Sequence, residues 1–229
     1  MNKPPVMNDS TTPKEEEYKY NISLTYERFF ALEGFSHKEL FANGPVWTAL
    51  EQLKQYIENY KGAINCEIPE GVTLVNRDQI VIGDETKIEA GAYIEGPCVI
   101  GKRCLIRQGA YVREYTLTGD ECVIGHCSET KHSIMLNRAK APHFNYVGDS
   151  IVGCNVNLGA GVICANLRLD KEEIFVHVSG QKFPTGLKKM GAIIGDDSSL
   201  GCNCVTNPGA LFAKGSLSSP CRNLKGTYK

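Results

Sequence analysis

Four side chains of complementary chemistry are spaced so that one fold could gather them around a small anionic substrate. Lys131 follows Arg113 at three times a six-residue spacing, Glu129 lies just before Lys131, and His143 follows Lys131 at twice that spacing. The two cations would hold a phosphate or a carboxylate through charge-assisted hydrogen bonds. A histidine that a carboxylate orients can act as a general base. These side chains can act together only in a fold in which residues separated by multiples of six positions lie next to each other on adjacent repeats.

A period of six residues predicts such a fold. Aliphatic residues or threonine recur at every sixth position, and the fourth residue after each is usually small, as at Thr86, Ala92 and Cys98. Ten hexads run consecutively, from Ile82, Ile88, Ile94, Ile100 and Ile106 to Val112, Thr118, Ile124, Thr130 and Leu136. The phase shifts near Pro142, and the period returns in two later blocks. A hexapeptide period is typical of a parallel β-helix solenoid, in which three hexads form one coil.

The predicted fold class is therefore mainly β: a left-handed parallel β-helix, or hexapeptide-repeat solenoid, with an N-terminal helical segment. Each coil would bury its aliphatic residues only against neighbouring coils, and about six coils are expected. Cysteine at the small inward position behaves as a compact hydrophobic residue. This interpretation applies to Cys98, Cys104, Cys122 and Cys204.

Composition and periodicity divide the chain into regions. Apolar residues from Trp47 to Tyr60 recur at spacings of three and four, which predicts a helix over 46–61. A charged stretch between Asn166 and Ala192 interrupts the hexads. The predicted regions are a disordered tail (1–20), a helical N-terminal segment (21–65), a β-helix domain (66–220) with a loop insertion (167–191), and a second tail (221–229).

The charge balance and the cysteine content limit the class of protein. The chain has 25 basic and 26 acidic residues and a net charge of −1, which argues against binding to nucleic acid or to an anionic membrane. No apolar stretch of about 20 residues is present, so no membrane span is expected. Ten cysteines without a secretion signal indicate reduced thiols. We therefore expect a cytoplasmic protein.

The residues around the two interruptions of the repeat resemble a known enzyme family. The matching stretches are Glu129–Lys131, His143–Asp149 (HFNYVGD), Asn155–Gly161 (NVNLGAG), Ala165–Arg168 and Lys189–Asp196. They resemble the acetyltransferase domain of the bifunctional bacterial enzyme that makes UDP-N-acetylglucosamine. They resemble still more closely the archaeal-type sugar-1-phosphate nucleotidylyltransferases that carry an acetyltransferase tail. The likeness covers about residues 66–215.

This resemblance implies an acetyl-CoA-dependent N-acetyltransferase that acts on an amino-sugar 1-phosphate and supplies a precursor of UDP-N-acetylglucosamine. It implies a homotrimer with coenzyme A between neighbouring solenoids, and no metal. No nucleotidylyltransferase activity is expected. By resemblance, His143 is the general base, with Glu129 and Asn166 as further catalytic residues. The implied substrate-binding residues are Arg113, Lys131, Tyr146, Asn157 and Lys171, and the implied acetyl-CoA contacts are Ala160 and Cys202.

Two departures from the family pattern support alternative functions. Cys202 stands where the bacterial enzyme has a serine on the donor side, and Leu167 replaces an aromatic residue. These changes would suit a non-catalytic β-helix that binds a nucleotide-sugar or a partner protein. A zinc hydratase on the same solenoid would need His126, His132 and His143 to converge on one metal, but the hexads place His126 and His132 on different faces. Other acyl donors and acceptors also stay open.

Overall fold

The structure is a computed structural model, and it describes residues 24–228. The expected disordered tail at 1–20 lies outside the described residues. Most of the described chain forms a parallel β-solenoid with three faces, to which the strands contribute in rotation, apart from the hairpin of the insertion. The fold class predicted from the hexad period, a left-handed parallel β-helix preceded by a helical segment, is confirmed.

The strands are numbered in chain order. Face 1 consists of β1 (Thr73–Val75), β4 (Tyr93–Glu95), β7 (Tyr111–Val112), β10 (Glu129–Lys131), β13 (Tyr146–Gly148), β16 (Ile163–Cys164), β21 (Val205–Thr206) and β24 (Asn223–Leu224). Face 2 consists of β2 (Ile80–Ile82), β5 (Cys98–Ile100), β8 (Thr116–Thr118), β11 (Ser133–Met135), β14 (Ile151–Val152), β19 (Ala192–Ile194), β22 (Ala210–Phe212) and β25 (Thr227–Tyr228). Face 3 consists of β3 (Lys87–Ile88), β6 (Leu105–Ile106), β9 (Val123–His126), β12 (Lys140–His143), β15 (Asn157–Leu158), β20 (Ser199–Leu200) and β23 (Leu217–Ser218).

The interior of the solenoid is filled by the residues that the period selects. Ile82, Ile94 and Ile106 are fully buried, and they belong to one continuous apolar cluster. The small residues fill the space beside them: Cys98, Cys104, Cys122 and Cys204 are all buried, as expected from their position in the hexads. Because each strand has only two to four residues, burial against the coils above and below supplies most of its stability.

The N-terminal segment covers the outer side of face 2. It contains short 3-10 helices at Tyr26–Arg28 and Lys38–Phe41 and one α-helix, α1 (Thr48–Asn59), close to the predicted bounds; a further 3-10 turn, Arg77–Gln79, precedes β2. The buried side of α1 includes Leu50, Leu53 and Ile57. These residues share a second apolar cluster with outward-facing residues of face 2, among them Val99, Leu117 and Ile134.

The insertion at 167–191 also packs on face 2. It contains an antiparallel hairpin of β17 (Phe175–Val178) and β18 (Gln181–Pro184). Val176 and Val178 of β17 are buried in the second apolar cluster together with Leu211 of face 2. The charged residues of the insertion, expected to form a loop, therefore cover a folded apolar layer. Faces 1 and 3 have no such cover within the described residues.

The solenoid is longer at both ends than the sequence indicated. Faces 1 and 2 each contain eight strands, against about six expected coils, and Ile64 already forms a bridge to Ile82. The expected tail at 221–229 is wrong for the described part, because β24 pairs with β21 and β25 pairs with β22. Apolar contacts hold these two strands on the solenoid. Leu224 is buried in the core, and Tyr228 stacks on Phe212 with ring centroids 4.6 Å apart.

In residues 24–228, no helix has the length and apolar character needed to cross a membrane.

Candidate functional site

Three predicted site residues form one column at the edge where face 3 turns into face 1, here called the 3/1 edge. His143 pairs with His126 of the coil before it. The Gly161 N–H donates to the His143 carbonyl at 3.0 Å, and the Asn203 N–H donates to the Ala160 carbonyl at 2.8 Å. Ala160 and Cys202 therefore follow His143 on the next two coils. The expected base and both expected donor contacts are brought together.

His143 is available for chemistry at this edge. Its side chain is exposed, and its imidazole has no hydrogen-bond partner within residues 24–228. The backbone is held firmly, since the His143 N–H donates to the Asn145 Oδ1 at 3.0 Å. The next residue, Phe144, has a φ of 53°, the left-handed conformation that turns the chain onto face 1. An exposed imidazole on a fixed backbone can accept a proton from a substrate that lies against the edge.

The expected acceptor residues of face 1 stack as the coil period requires. The register Thr130↔Val112 puts Lys131 beside Arg113 on adjacent coils, and Tyr146 pairs directly with Glu129. Lys131 has no ion-pair partner among the described residues. Within the described part of face 1, Lys131 is thus a cation that no carboxylate contacts at ion-pair distance.

Arg113 is less available than the sequence implied. Its Nη1 lies 3.0 Å from the Glu129 carboxylate, and its Nε lies 3.5 Å from the carboxylate of Glu114. An anion that binds here must compete with two carboxylates of the chain. Glu129 consequently contacts Arg113 and makes no contact with His143 in one chain. The expected His143–Glu129 pairing is not formed, because Glu129 lies along face 1 while His143 points outward at the 3/1 edge.

A hydrogen-bonded chain of side chains lies at the opposite edge of face 1, here called the 1/2 edge. The Asn166 Nδ2 donates to the Tyr146 Oη at 3.2 Å and also to the Asp149 carboxylate. His132 Nδ1 lies 2.8 Å from the other Asp149 oxygen. The Tyr146 ring lies over Gly148, where a Cβ would come within 2.5 Å of the Oη. Tyr146, expected to bind the substrate, and Asn166, expected to be catalytic, therefore meet, but at the edge of face 1 opposite the one that carries His143.

Burial and hydrogen bonds set the charge states of Asp149 and Tyr146 at the 1/2 edge. Burial of the Asp149 carboxyl opposes its ionisation, but hydrogen bonds from His132 and Asn166 outweigh burial and lower its pKa below the ordinary value. Burial, followed by the negative charges of Glu129 and Asp149, raises the pKa of Tyr146. At neutral pH the site therefore holds a carboxylate at Asp149 and a neutral phenol at Tyr146.

Sequence reasoning did not select Asp149 as a site residue, and it considered His132 only as a possible zinc ligand. The signal was present, since both residues lie inside the stretches that carried the family resemblance or flank them. Their separation is one position short of three hexads, as is that of the paired residues Glu129 and Tyr146. The coils here are therefore slightly shorter than the hexads imply. A search for pairs at this shorter spacing would have found them.

Two expected site residues lie away from face 1. Asn157 is exposed on face 3, paired with Lys140 and Ser199. It lines a shallow cavity of about 400 Å³ together with Arg138, Lys140 and Asn155 among others. Lys171 is exposed in the insertion, where its N–H bonds to the Arg168 carbonyl. Asn157 and Tyr146 of one chain therefore lie on different faces of the solenoid.

The three histidines considered as zinc ligands are divided between the two edges. His126 and His143 are neighbours at the 3/1 edge, whereas His132 is at the 1/2 edge. Within residues 24–228, no group of three or more His, Cys, Asp and Glu side chains is arranged to hold a metal ion.

Comparison with known proteins agrees with the hexapeptide-repeat fold. The family model for the bacterial transferase hexapeptide (six repeats) matches residues 79–114. An uncharacterized acetyltransferase of Escherichia coli, YaiX, is 35% identical over 184 residues, which cover 78% of this chain and 80% of the relative. The chain belongs to the hexapeptide-repeat acyltransferases.

Other relatives of this acyltransferase are longer. A bifunctional sugar-1-phosphate nucleotidylyltransferase/acetyltransferase of Sulfurisphaera tokodaii is 35% identical over 167 residues, 72% of this chain and 41% of the relative. The bifunctional protein GlmU of Methanococcus maripaludis (strain C7) is 43% identical over 93 residues, 41% of this chain and 22% of the relative. The chain thus spans at most about two fifths of the length of these bifunctional relatives.

Proposed function

We propose that this acyltransferase transfers the acetyl group of acetyl-CoA to the amine of an amino-sugar 1-phosphate in the cytoplasm, and so supplies a precursor for nucleotide-sugar synthesis. The observation that carries the proposal is the column of His143, Ala160 and Cys202 at the 3/1 edge, which borders the face that carries Tyr146, Lys131 and Arg113. The name of the Sulfurisphaera relative, which includes both a sugar 1-phosphate and acetyl transfer, supports the choice of acceptor.

In the proposed reaction, His143 accepts a proton from the acceptor amine while the nitrogen attacks the thioester carbonyl. The new C–N bond forms a tetrahedral oxyanion, and its collapse breaks the C–S bond. The imidazolium then gives its proton to the departing coenzyme A thiolate, so that protons and charge balance. General base catalysis contributes about 10²- to 10⁴-fold to such a rate, and no metal takes part in the proposed steps.

The acceptor phosphate would bind at Lys131, which has no ion-pair partner within residues 24–228, and at Arg113, whose ion pairs with Glu129 and Glu114 would have to rearrange. Tyr146 and Asn166 would contact the sugar at the far end of face 1. We assign Ala160 and Cys202 to the acetyl-CoA side because they extend the column beyond His143.

The proposed site is complete only in an assembly. Asn157 is on face 3, and the other acceptor residues are on face 1, so face 3 of one copy has to meet face 1 of another. Both faces expose apolar side chains, with Tyr93, Tyr111 and Val205 on face 1 and Leu217 on face 3, whereas face 2 is covered. Two different faces that meet head to tail can close a ring of subunits. Three wedge-shaped solenoids arranged in this way would form a homotrimer with acetyl-CoA between neighbours. Lys171 would complete the acceptor site from the insertion.

An acceptor panel tests the proposal. We expect the protein to acetylate glucosamine-1-phosphate with a kcat/KM at least about tenfold above that for free glucosamine, because charge-assisted hydrogen bonds to the phosphate contribute about 1.5–3 kcal/mol. Products from acetyl-CoA and each acceptor are measured by mass spectrometry, since ten cysteines would raise the background of a thiol dye. The variant Lys131→Met should lose most of this preference.

Equal rates with and without the phosphate would contradict the acceptor assignment. Binding of glucosamine-1-phosphate without any acetylated product, with several acyl-CoA donors, would instead favour the binding-scaffold function.

A further inference from the structure

His132 and Asp149 form a hydrogen-bonded pair at the 1/2 edge, and the proposed chemistry does not use this pair. The two residues occupy equivalent turn positions on adjacent coils, with left-handed φ values of 44° and 46°. Asp149 is only 5% exposed, and His132 Nδ1 lies 2.8 Å from its Oδ1. The second carboxylate oxygen accepts a hydrogen bond from Asn166. A buried carboxylate with both oxygens occupied is a strong constraint on the groups that bond to it.

The constraint fixes which way the Asn166 amide faces. An ionised carboxylate only accepts hydrogen bonds, so the amide must present its NH₂ group to Asp149. The same nitrogen also donates to the Tyr146 Oη at 3.2 Å. Both N–H groups of Asn166 are then used, and its Oδ1 is left as an acceptor with no partner in residues 24–228. The hydroxyl hydrogen of Tyr146 is likewise left to donate elsewhere.

The backbone around the pair keeps this arrangement in place. The Asp149 carbonyl accepts the Gly191 N–H at 2.7 Å, and the Asn166 carbonyl accepts the Met190 N–H at 3.0 Å, so the two ends of the insertion are tied together here. The His132 ring lies edge-on to Tyr115, with centroids 6.2 Å apart. Asp149 keeps its negative charge at neutral pH because its hydrogen bonds lower its pKa.

We propose that Asp149, held by His132, is a positioning residue that keeps the Asn166 amide from flipping, so that its carbonyl oxygen stays available to the amine of the acceptor. This inference rests on the proposed function and extends it to how the acceptor amine is held. An ammonium group can only donate hydrogen bonds, whereas a hydroxyl group can donate or accept. A fixed carbonyl oxygen accommodates both groups, but an amide that is free to flip penalises the ammonium alone.

The test compares two ligands that differ in this one group, glucosamine-1-phosphate and glucose-1-phosphate, by calorimetric Kd. In Asp149→Asn, the new side-chain amide no longer dictates the orientation of Asn166. We expect the Kd for glucosamine-1-phosphate to rise at least about tenfold, the loss of one charge-assisted hydrogen bond, while the Kd for glucose-1-phosphate changes less than about threefold. His132→Gln should shift the ratio in the same direction by a smaller factor. Matched controls are Asp84→Asn and His177→Gln, both at exposed positions away from the site.

Equal weakening of both ligands, or an unchanged ratio of the two Kd values, would overturn the positioning role and leave a structural one. If Asp149→Asn does not fold by circular dichroism, His132→Gln decides, because that side chain is 25% exposed. If the wild-type protein acetylates glucosamine-1-phosphate and the variants keep the wild-type ratio of the two Kd values, only this inference is contradicted. A wild-type protein that neither binds nor acetylates the amino sugar contradicts the proposed function as well.

Discussion

Replacement of His143 by alanine is expected to lower kcat for acetyl transfer at least about 10²-fold, the lower limit for the loss of a general base. The amine of an amino sugar must lose a proton as it attacks, and within residues 24–228 no other imidazole lies in the same column except His126, one coil away from the donor side. The KM for the acceptor should change little, because the proposed phosphate and sugar contacts lie on face 1.

The measurement is single-turnover formation of N-acetylated product by mass spectrometry. His177→Ala is the matched control, since His177 is also exposed but lies in the hairpin of the insertion. Both variants should melt at the wild-type temperature, because neither side chain is buried. A fall in kcat of less than about fivefold in a folded His143→Ala protein would exclude His143 as the base.

Replacement of Leu158 by alanine is expected to lower the free energy of unfolding by about 2–5 kcal/mol. Leu158 is fully buried on β15, beside the coils that carry the site. A coil touches only the coils next to it, so a void there weakens two interfaces at once. Of the substitutions proposed for this protein, this one should have the greatest effect on stability.

Leu169→Ala provides the same chemical change at a fully exposed position of the insertion, and it should cost less than about 0.5 kcal/mol. Denaturant unfolding followed by circular dichroism at two protein concentrations separates folding from assembly. Equal midpoints for the two leucine variants would contradict the interior position of Leu158.

The solenoid could be predicted because the residues of each short strand and its turns determine which side chain of that strand points into the core. A strand of two to four residues between tight turns has room for one inward side chain, so Ile82, Ile94 and Ile106 mark the core directly. The C-terminal coil was not predicted because the spacing between its core residues is shorter than six positions. Phe212 lies a full hexad after Thr206, but Tyr228 follows Leu224 by less than a hexad. Gly226, with a φ of 81°, makes that shorter turn.

The candidate site was predictable only in part. The stacking of Lys131 on Arg113 followed from a coil of three hexads, whereas the two carboxylates that engage Arg113 did not. The link between Asn166 and Asp149 depends on where the insertion leaves the solenoid and on a coil that is slightly shorter than three hexads. Neither feature is encoded in a regular hexad period, and both required the three-dimensional structure.

The position of Asn157 on face 3 leads to the most direct test of a site that is shared between copies. His143→Ala and Asn157→Ala chains, each with its own affinity tag, are co-expressed, and assemblies that carry both tags are isolated. In the proposed trimer, every mixed assembly would contain one interface in three where an intact His143 faces an intact Asn157. We predict acetylation of glucosamine-1-phosphate at about one third of the wild-type rate, well above either parent variant. Mixed assemblies no more active than the better parent would contradict a site built from two chains.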